Sequence, residues 1–173
     1  MAVRLVRDPG TLMADLIDAL REAADQVRCC SLCGSVTRAD EDPCRLCTDA
    51  SRDDTVVCVV EDPSDIESIE RSGGFRGRYH ALMGKLSPAR NLGIEDLRVD
   101  ALVERIGKEG FKEVVLALST DVEGDSTCSF VAERLKDRDV TISRLALGLP
   151  AGSGIAYSDP VTLARAMKGR VTV

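Results

Sequence analysis

Four of the seven cysteines form two pairs, each with two residues between its members. Cys30 and Cys33 are the first pair, Cys44 and Cys47 the second, and residues 34–43 separate them. Two such pairs can direct four thiolates at one point, which is the tetrahedral sulfur shell that Zn²⁺ prefers in structural sites. The intervening loop is polar and has no core of its own, so we expect it to need the metal to fold. The spacing predicts one structural zinc per chain.

An iron site and unliganded thiols are the alternatives. Rubredoxin-like iron uses the same four thiolates, but glycine follows only the first pair, since Thr48 follows the second. Buried thiols without a metal do not suit so polar a surrounding. The other cysteines are predicted not to bind metal, because Cys29 lies outside the pairs, Cys58 lies in an apolar run and Cys128 in a predicted helix.

Acidic residues follow two predicted strands at the points where those strands end. Glu61 directly follows one apolar run, and Glu123 and Asp125 follow another. Functional groups in parallel sheets collect beyond the carboxyl ends of the strands, and carboxylate oxygens suit Mg²⁺. The alternative is that these acids only stabilise the start of the following helix. Catalysis would also need a base or a nucleophile, and the sequence indicates none: the single histidine, His80, is predicted to be structural.

One stretch reverses the charge of an acidic chain. The chain has 23 basic and 29 acidic residues, for a net charge of −6, yet residues 71–90 contain no acid. Their basic residues are Arg71, Arg76, Arg78, Lys85 and Arg90. Such a patch favours DNA or an acidic protein as a partner, and the alternative is a solvated loop. With only five aromatic residues, a single-strand binder based on base stacking is not expected.

The elements that must position these residues alternate between strand and helix. A length of 173 residues predicts one domain, or one domain with a small appendage. Asp8 and Pro9 are expected to begin a helix that continues over residues 12–27 into the cysteine region. Strands are predicted at 55–60, 80–83, 113–118 and 140–146, and helices near 63–69, 94–106 (ended by Gly107), 124–136 and 160–168. Apolar strands bounded by helices predict a parallel α/β sheet covered on both faces.

The order and spacing of these motifs resemble the RecR family of recombination mediators. The resemblance runs from about residue 27 to the C-terminus. It rests on Cys30-Ser-Leu-Cys33, Asp42-Pro43-Cys44-Arg-Leu-Cys47, Ser51-Arg52-Asp53, Val59-Val60-Glu61-Asp62-Pro63, Gly77-x-Tyr79-His80-x-Leu82-x-Gly84, Ser87-Pro88, Glu123-Gly124-x-x-Thr127, Gly148-Leu149-Pro150 and Val161-Thr162-Leu163.

The resemblance implies an α/β protein in four parts. Residues 1–28 would be the remnant of a helix-hairpin-helix region, and residues 29–50 a four-cysteine zinc finger. A Toprim domain would occupy residues 51–147, and a Walker B-like arm residues 148–173. The paired cysteines would then be the zinc ligands, and the three acids after the strands would be the Toprim acids.

The resemblance also implies a function. Family members bind DNA, work with the partners RecO and RecF, form ring-like oligomers and help load the recombinase RecA at gaps, and they are not generally regarded as enzymes. We therefore expect a non-enzymatic DNA-repair mediator. We also expect a cytoplasmic protein, because no run of 18 apolar residues and no secretory signal is present. A homodimer through the C-terminal side is expected, with any tetramer weakened.

Three departures from the family pattern shape these expectations. The chain starts after the helix-hairpin-helix, and Leu118-Ser119-Thr120 stands where the family has Thr-Asn-Pro. Residues 151–157 carry no acid, so nucleotide or Mg²⁺ binding is not expected there. Two other functions stay open on the residues alone: a small Mg²⁺-dependent Toprim nuclease using the three acids, and a zinc-finger module that binds protein.

Overall fold

A computed structural model describes residue 10 and residues 12–149, 151–152 and 154–170. Its elements, in chain order, are α1 (Leu12–Gln26), β1 (Val27–Cys29), β2 (Val36–Arg38), α2 (Arg45–Thr48), β3 (Val56–Val60), α3 (Pro63–Ser72), β4 (Arg78–Ala81), α4 (Val99–Glu109), β5 (Glu113–Ala117), α5 (Val122–Leu135), β6 (Thr141–Arg144) and α6 (Pro160–Lys168). Short 3₁₀ turns lie at Pro88–Arg90, Ile94–Asp96 and Ile155–Tyr157. The predicted helix start at Asp8 and Pro9, and Pro150 of the Gly-Leu-Pro motif, lie outside the described residues.

The centre of the fold is a four-stranded sheet in the order β4-β3-β5-β6, and all of its pairs are parallel. This confirms the predicted α/β class. On one face, valines and leucines of β3 and β5 pack against α4 and α5 and are almost fully buried. This core includes Val57, Val59, Val114, Leu116, Leu102, Ile106, Val131 and Leu135.

The second face is covered mainly over β3 and β4. There α3 and the cysteine region pack on Cys58, Val60 and Tyr79 to form a second buried cluster. On the β5–β6 half, Val115 and Ser143 remain half-buried. The prediction of a sheet covered on both faces is therefore correct for the first face and for half of the second.

Helix ends follow local chemistry, and α4 differs from its predicted bounds at both ends. Helix α3 begins at a capping box between Asp62 and Asp65. Helix α4 begins at Val99 rather than residue 94, because residues 94–96 form a separate 3₁₀ turn. It also passes through Gly107 and ends at Gly110, whose φ of 73° is the left-handed conformation that ends helices.

Strand β4 begins two residues earlier than predicted. Arg78 pairs with Val57 of β3, so the strand includes a basic residue outside the predicted bounds of 80–83. No local pattern indicated that the strand begins at Arg78, because this side chain is polar and its hydrogen-bond partners are distant in the sequence.

Helix α1 has no buried residue, and Leu12, Ile17 and Leu20 are exposed. It leads into the cysteine region, as the sequence predicted, and that region begins with the antiparallel hairpin β1–β2, which the sequence did not predict. Among the described residues, no helix is long and apolar enough to cross a membrane.

Candidate functional site

The four paired cysteines converge on one point. Their Sγ atoms all lie within 4.8 Å of one another, with Cys33 and Cys44 3.5 Å apart and Cys30 and Cys47 3.9 Å apart. A tetrahedral zinc with Zn–S bonds of about 2.3 Å requires sulfur atoms about 3.8 Å apart. The cluster could therefore hold a metal ion, and its donor set and spacing fit zinc.

Two knuckles present these thiols. The first follows β1, where the Gly34 N–H donates to the carbonyl of Cys30 at 2.9 Å. Gly34 has a φ of 80°, and a Cβ there would collide with the guanidinium of Arg98, so only glycine suits this turn. The second knuckle is the start of α2, where the Cys47 N–H donates to the carbonyl of Cys44 at 2.9 Å.

The loop between the knuckles is more ordered than the sequence indicated. Residues 34–43 contain β2, and the Asp42 side chain accepts hydrogen bonds from the N–H and the hydroxyl of Ser31, each at 2.9 Å. These bonds fasten the end of the loop to the first knuckle. The paired strands supply backbone order that a polar sequence alone did not suggest.

The protonation of these thiols is strongly coupled. Hydrogen bonding with Cys44 raises the pKa of Cys33 to about 12, and hydrogen bonding with Cys33 raises the pKa of Cys47 far above its usual value. The same contact with Cys33 lowers the pKa of Cys44. One thiolate shared among neighbouring thiols is favoured over four adjacent negative charges, and full ionisation needs a cation between them.

Three arginines fasten the cysteine region to the sheet. Arg78 donates to the carbonyls of the second knuckle, Leu46 at 3.0 Å and Cys47 at 2.9 Å. Arg98 donates to the carbonyl of Ser31, in the first knuckle, at 2.9 Å. Arg105, which is buried, contacts both parts: its Nη1 donates to the Tyr79 carbonyl on β4 at 2.8 Å and lies 3.5 Å from the Leu32 carbonyl in the first knuckle. The edge of β4 is covered as well, since the Ala81 N–H donates to the Cys33 carbonyl at 2.7 Å.

The second candidate cluster lies at the carboxyl ends of β3 and β5. Glu61 follows β3, and Glu123 lies in the first turn of α5, after β5. The ammonium of Lys85 lies 3.9 Å from Glu61 Oε2 and 3.8 Å from Glu123 Oε2, so these oxygens are at most about 8 Å apart. Asp121, the N-cap of α5, pairs with the same ammonium.

Asp125 does not join the other two predicted acids. Its Oδ1 accepts from Arg144 at 2.6 Å, and its Oδ2 lies 3.7 Å from Arg165 of α6. It faces β6 and the C-terminal arm instead. The structure therefore brings Glu61, Asp121 and Glu123 together around Lys85 and directs Asp125 elsewhere.

These acids do not fit a resident Mg²⁺. Among the described residues, only the four cysteines form a group of potential ligands as close as a metal site requires. The carboxylates are spread around an ammonium instead, and Lys85 takes the place that a shared ion would need. The contact with Asp121 raises the pKa of Lys85, and the same contact lowers the pKa of Asp121, so both are charged at neutral pH.

The five predicted DNA-binding residues divide into two groups. Arg78 and Lys85 make hydrogen bonds within the protein. Arg71, Arg76 and Arg90 are exposed. Because Arg76 precedes β4 and Arg90 follows it, these two lie at opposite ends of that strand. Only Arg71, in the last turn of α3, shares the amino end of the sheet with Arg76.

The single histidine is structural, as predicted. His80 Nε2 donates to the Arg98 carbonyl at 2.9 Å, and Nδ1 faces Arg105 Nη1 at 3.4 Å. Burial lowers the pKa of His80 to about 3, so the neutral ring is the form that fits between these partners.

Sequence reasoning missed Arg98 and Arg105 as parts of these sites, and it did not place Asp121 beside Lys85. Asp121 was recognisable as an N-cap before α5, although no local pattern showed its pairing with Lys85. Arg105 lies on the buried, apolar side of α4, and Arg98, the N-cap residue of that helix, lies seven residues before it. A basic residue on the apolar side of a helix is the signal that would have indicated a buried role.

Comparison with known proteins extends these observations. Residues 55–146 match the Toprim domain, and residues 148–171 match the RecR C-terminal region. The recombination protein RecR of Syntrophotalea carbinolica is 48% identical over 153 residues, covering 88% of this chain and 76% of that protein. That of Bifidobacterium adolescentis is 43% identical over 173 residues, covering 100% and 86%. That of Thermobifida fusca is 46% identical over 155 residues, covering 90% and 77%. With this identity over most of its length, the chain belongs to the RecR family of recombination proteins.

Proposed function

We propose that this protein is a DNA-repair and recombination mediator that binds DNA and helps load a recombinase at gaps, without being an enzyme. The observation that carries the proposal is the 43% identity, over all 173 residues, to a protein named as the recombination protein RecR. Membership of that family does not favour the alternatives of a nuclease or a zinc-finger module that binds only protein.

The cysteine cluster is proposed to hold one structural Zn²⁺. The sulfur spacing supports this, and four thiolate ligands leave no open position at which water could bind and react. We further propose the division of the chain into residues 1–28, 29–50, 51–147 and 148–173, as an N-terminal helix region, zinc finger, Toprim domain and C-terminal arm.

The proposed partners are DNA, the mediators RecO and RecF, and a second copy of the chain in the cytoplasm. A dimer through the C-terminal arm is supported by its exposed apolar side chains, which include Ile155, Tyr157, Val161 and Met167. Light scattering at tens of micromolar tests this part, and a monomer at that concentration would contradict it.

DNA binding is proposed to involve the exposed Arg71 and Arg76, with Arg90 as a separate contact. Gly73 and Gly74, which lie between these two arginines, are exposed and leave the backbone there open to a phosphate. Each neutralised phosphate contributes about 0.9 to the slope of log K against log salt. Neutralising Arg71 and Arg76 together should therefore reduce that slope by roughly 1.8 and weaken binding to every DNA sequence alike.

Fluorescence anisotropy with labelled gapped DNA tests this assignment of the DNA contacts. Arg71→Gln combined with Arg76→Gln is compared with Lys108→Gln, which removes one exposed charge paired with Glu104 on α4. The control should bind DNA as the unmodified protein does, and zinc content should stay constant in all three. An unchanged salt slope in the double variant would contradict the assigned contact.

The mediator function itself is tested by recombinase loading. The rate at which RecA assembles on gapped, protein-coated DNA should rise when the protein is added with RecO. No cleavage of single- or double-stranded DNA is expected with Mg²⁺ or Mn²⁺. Cleavage that Glu61→Gln abolishes would refute the non-enzymatic proposal and favour the nuclease.

A further inference from the structure

The three carboxylates around Lys85 share one pattern of hydrogen bonding. Glu61 uses Oε1 to accept from the Ser119 N–H at 2.7 Å, and Glu123 uses Oε1 to accept from a serine hydroxyl. Asp121 uses Oδ1 to accept from a backbone N–H at the start of α5. In each case the second oxygen faces the ammonium of Lys85. Each acid therefore has one oxygen fixed by the fold and one turned to the same cation.

The segment that carries Lys85 is fastened on both sides. The Gly84 N–H donates to the backbone carbonyl of Glu61 at 2.9 Å, and the Leu86 N–H donates to Thr127 Oγ1 at 3.0 Å. The Lys85 side chain is only 14% exposed, and its ammonium also donates to Ser119 Oγ at 3.1 Å. Lys85 is therefore held at the centre of the acids by its own backbone as well as by charge.

A divalent ion would compete poorly for this position. Mg²⁺ needs oxygens at about 2.0–2.1 Å in a regular octahedron and loses its water reluctantly. Here the free oxygens of Glu61 and Glu123 stand 3.9 and 3.8 Å from the central nitrogen. The ion would have to expel a cation that is covalently tethered, and a tether keeps the local concentration of that cation at millimolar or above.

We infer that Lys85 is the resident cation of this acidic cluster and that the cluster is built to work without a divalent metal. The ammonium offsets one of three negative charges, holds the loop between β4 and α4 against α5, and fixes Glu61 and Glu123 in place. This inference concerns the cluster alone, so it stands or falls independently of the proposed mediator function.

The test is direct binding of Mn²⁺, measured by electron paramagnetic resonance. It uses the full chain with the metal that the protein retains after purification. The unmodified protein should show no site that depends on Glu61 at millimolar Mn²⁺. Lys85→Met should gain such a site, with an affinity for Mn²⁺ at least about tenfold higher than any that the unmodified protein shows. The same site should disappear in Lys85→Met combined with Glu61→Gln.

Lys108→Met is the matched control, because Lys108 pairs with one carboxylate, Glu104, and both side chains are largely exposed. It should gain no Mn²⁺ site. A thermal melt adds a second readout: millimolar Mg²⁺ should raise the melting temperature of Lys85→Met and leave that of the unmodified protein unchanged.

Two results would overturn the inference. One is Mn²⁺ binding to the unmodified protein that Glu61→Gln abolishes, a measurement that stands even if Lys85→Met fails to fold. The other is a folded Lys85→Met that gains no binding at all.

Discussion

A methyl group added at Gly124 should disturb the acidic cluster through the backbone. Gly124 is buried in the first turn of α5, next to Glu123. A Cβ there would overlap the carbonyl oxygen of Ser119 and stand only 2.8 Å from its carbonyl carbon and its Oγ. Because Ser119 also donates to Glu61, the strand end and the acid must move together.

Two opposing effects decide the size of the change. Replacing a helical glycine by alanine ordinarily stabilises a protein by about 0.5–1 kcal/mol. Overpacking a rigid site costs about 1–3 kcal/mol, and the bond from the Gly124 N–H to Asp121, 2.7 Å long, is a helix cap worth about 1 kcal/mol that the shift would weaken. The collision is with backbone, which cannot rotate away, so Gly124→Ala should lower the free energy of unfolding by about 1–2 kcal/mol.

Gly107→Ala provides the matched control. Gly107 is exposed in α4, and the nearest atom to an added Cβ is Arg138 Nη1 at 3.6 Å, an ordinary contact. This variant should be more stable than the unmodified protein by about 0.5–1 kcal/mol. Equilibrium unfolding in urea measures both. Gly124→Ala at or above the stability of the unmodified protein would refute the reasoning from close packing.

Three further predictions follow from the other buried groups. The pKa of His80 is about 3 in the folded protein, whereas the unfolded chain protonates this histidine near pH 6.5. The free energy of unfolding should therefore fall as the pH drops below 6.5, by about 1.4 kcal/mol at pH 5.5. His80→Gln should lack this pH-dependent loss of stability in urea titrations. Cys44→Ser should reduce zinc content, measured by mass spectrometry, from one equivalent to less than half; unchanged zinc would contradict the assignment. Arg78→Gln should destabilise the protein by about 1–3 kcal/mol, because two knuckle carbonyls lose their donor, and its DNA affinity should be unchanged in anisotropy.

Local spacing predicted those parts of the sites that depend on neighbours in the chain. The four cysteines converge because each pair spans only four residues and forms its own knuckle. Glu61 and Glu123 meet because parallel strands end at one edge, which the apolar runs at β3 and β5 already indicated.

Long-range partners could not be predicted in the same way. Arg78 and Lys85 stand in an acid-free stretch and were expected to face DNA. Their partners lie 31 to 36 residues away, in the second knuckle and at the start of α5. Counting the charges in one stretch of sequence does not detect such contacts, so it overestimates the number of basic side chains that are available to bind DNA.

The cysteine cluster and strand β4 share one buried cluster, and this changes the expected effect of removing the metal. The sequence predicted that residues 34–43 need the metal to fold. In the structure, Cys30, Cys33 and Cys44 belong to the same buried cluster as Tyr79 of β4. The first knuckle also covers the open edge of β4, whose exposure would leave backbone groups unpaired. Chelation should therefore release β4 together with the loop, and hydrogen exchange should show amides of β4 losing protection while those of β5 keep it.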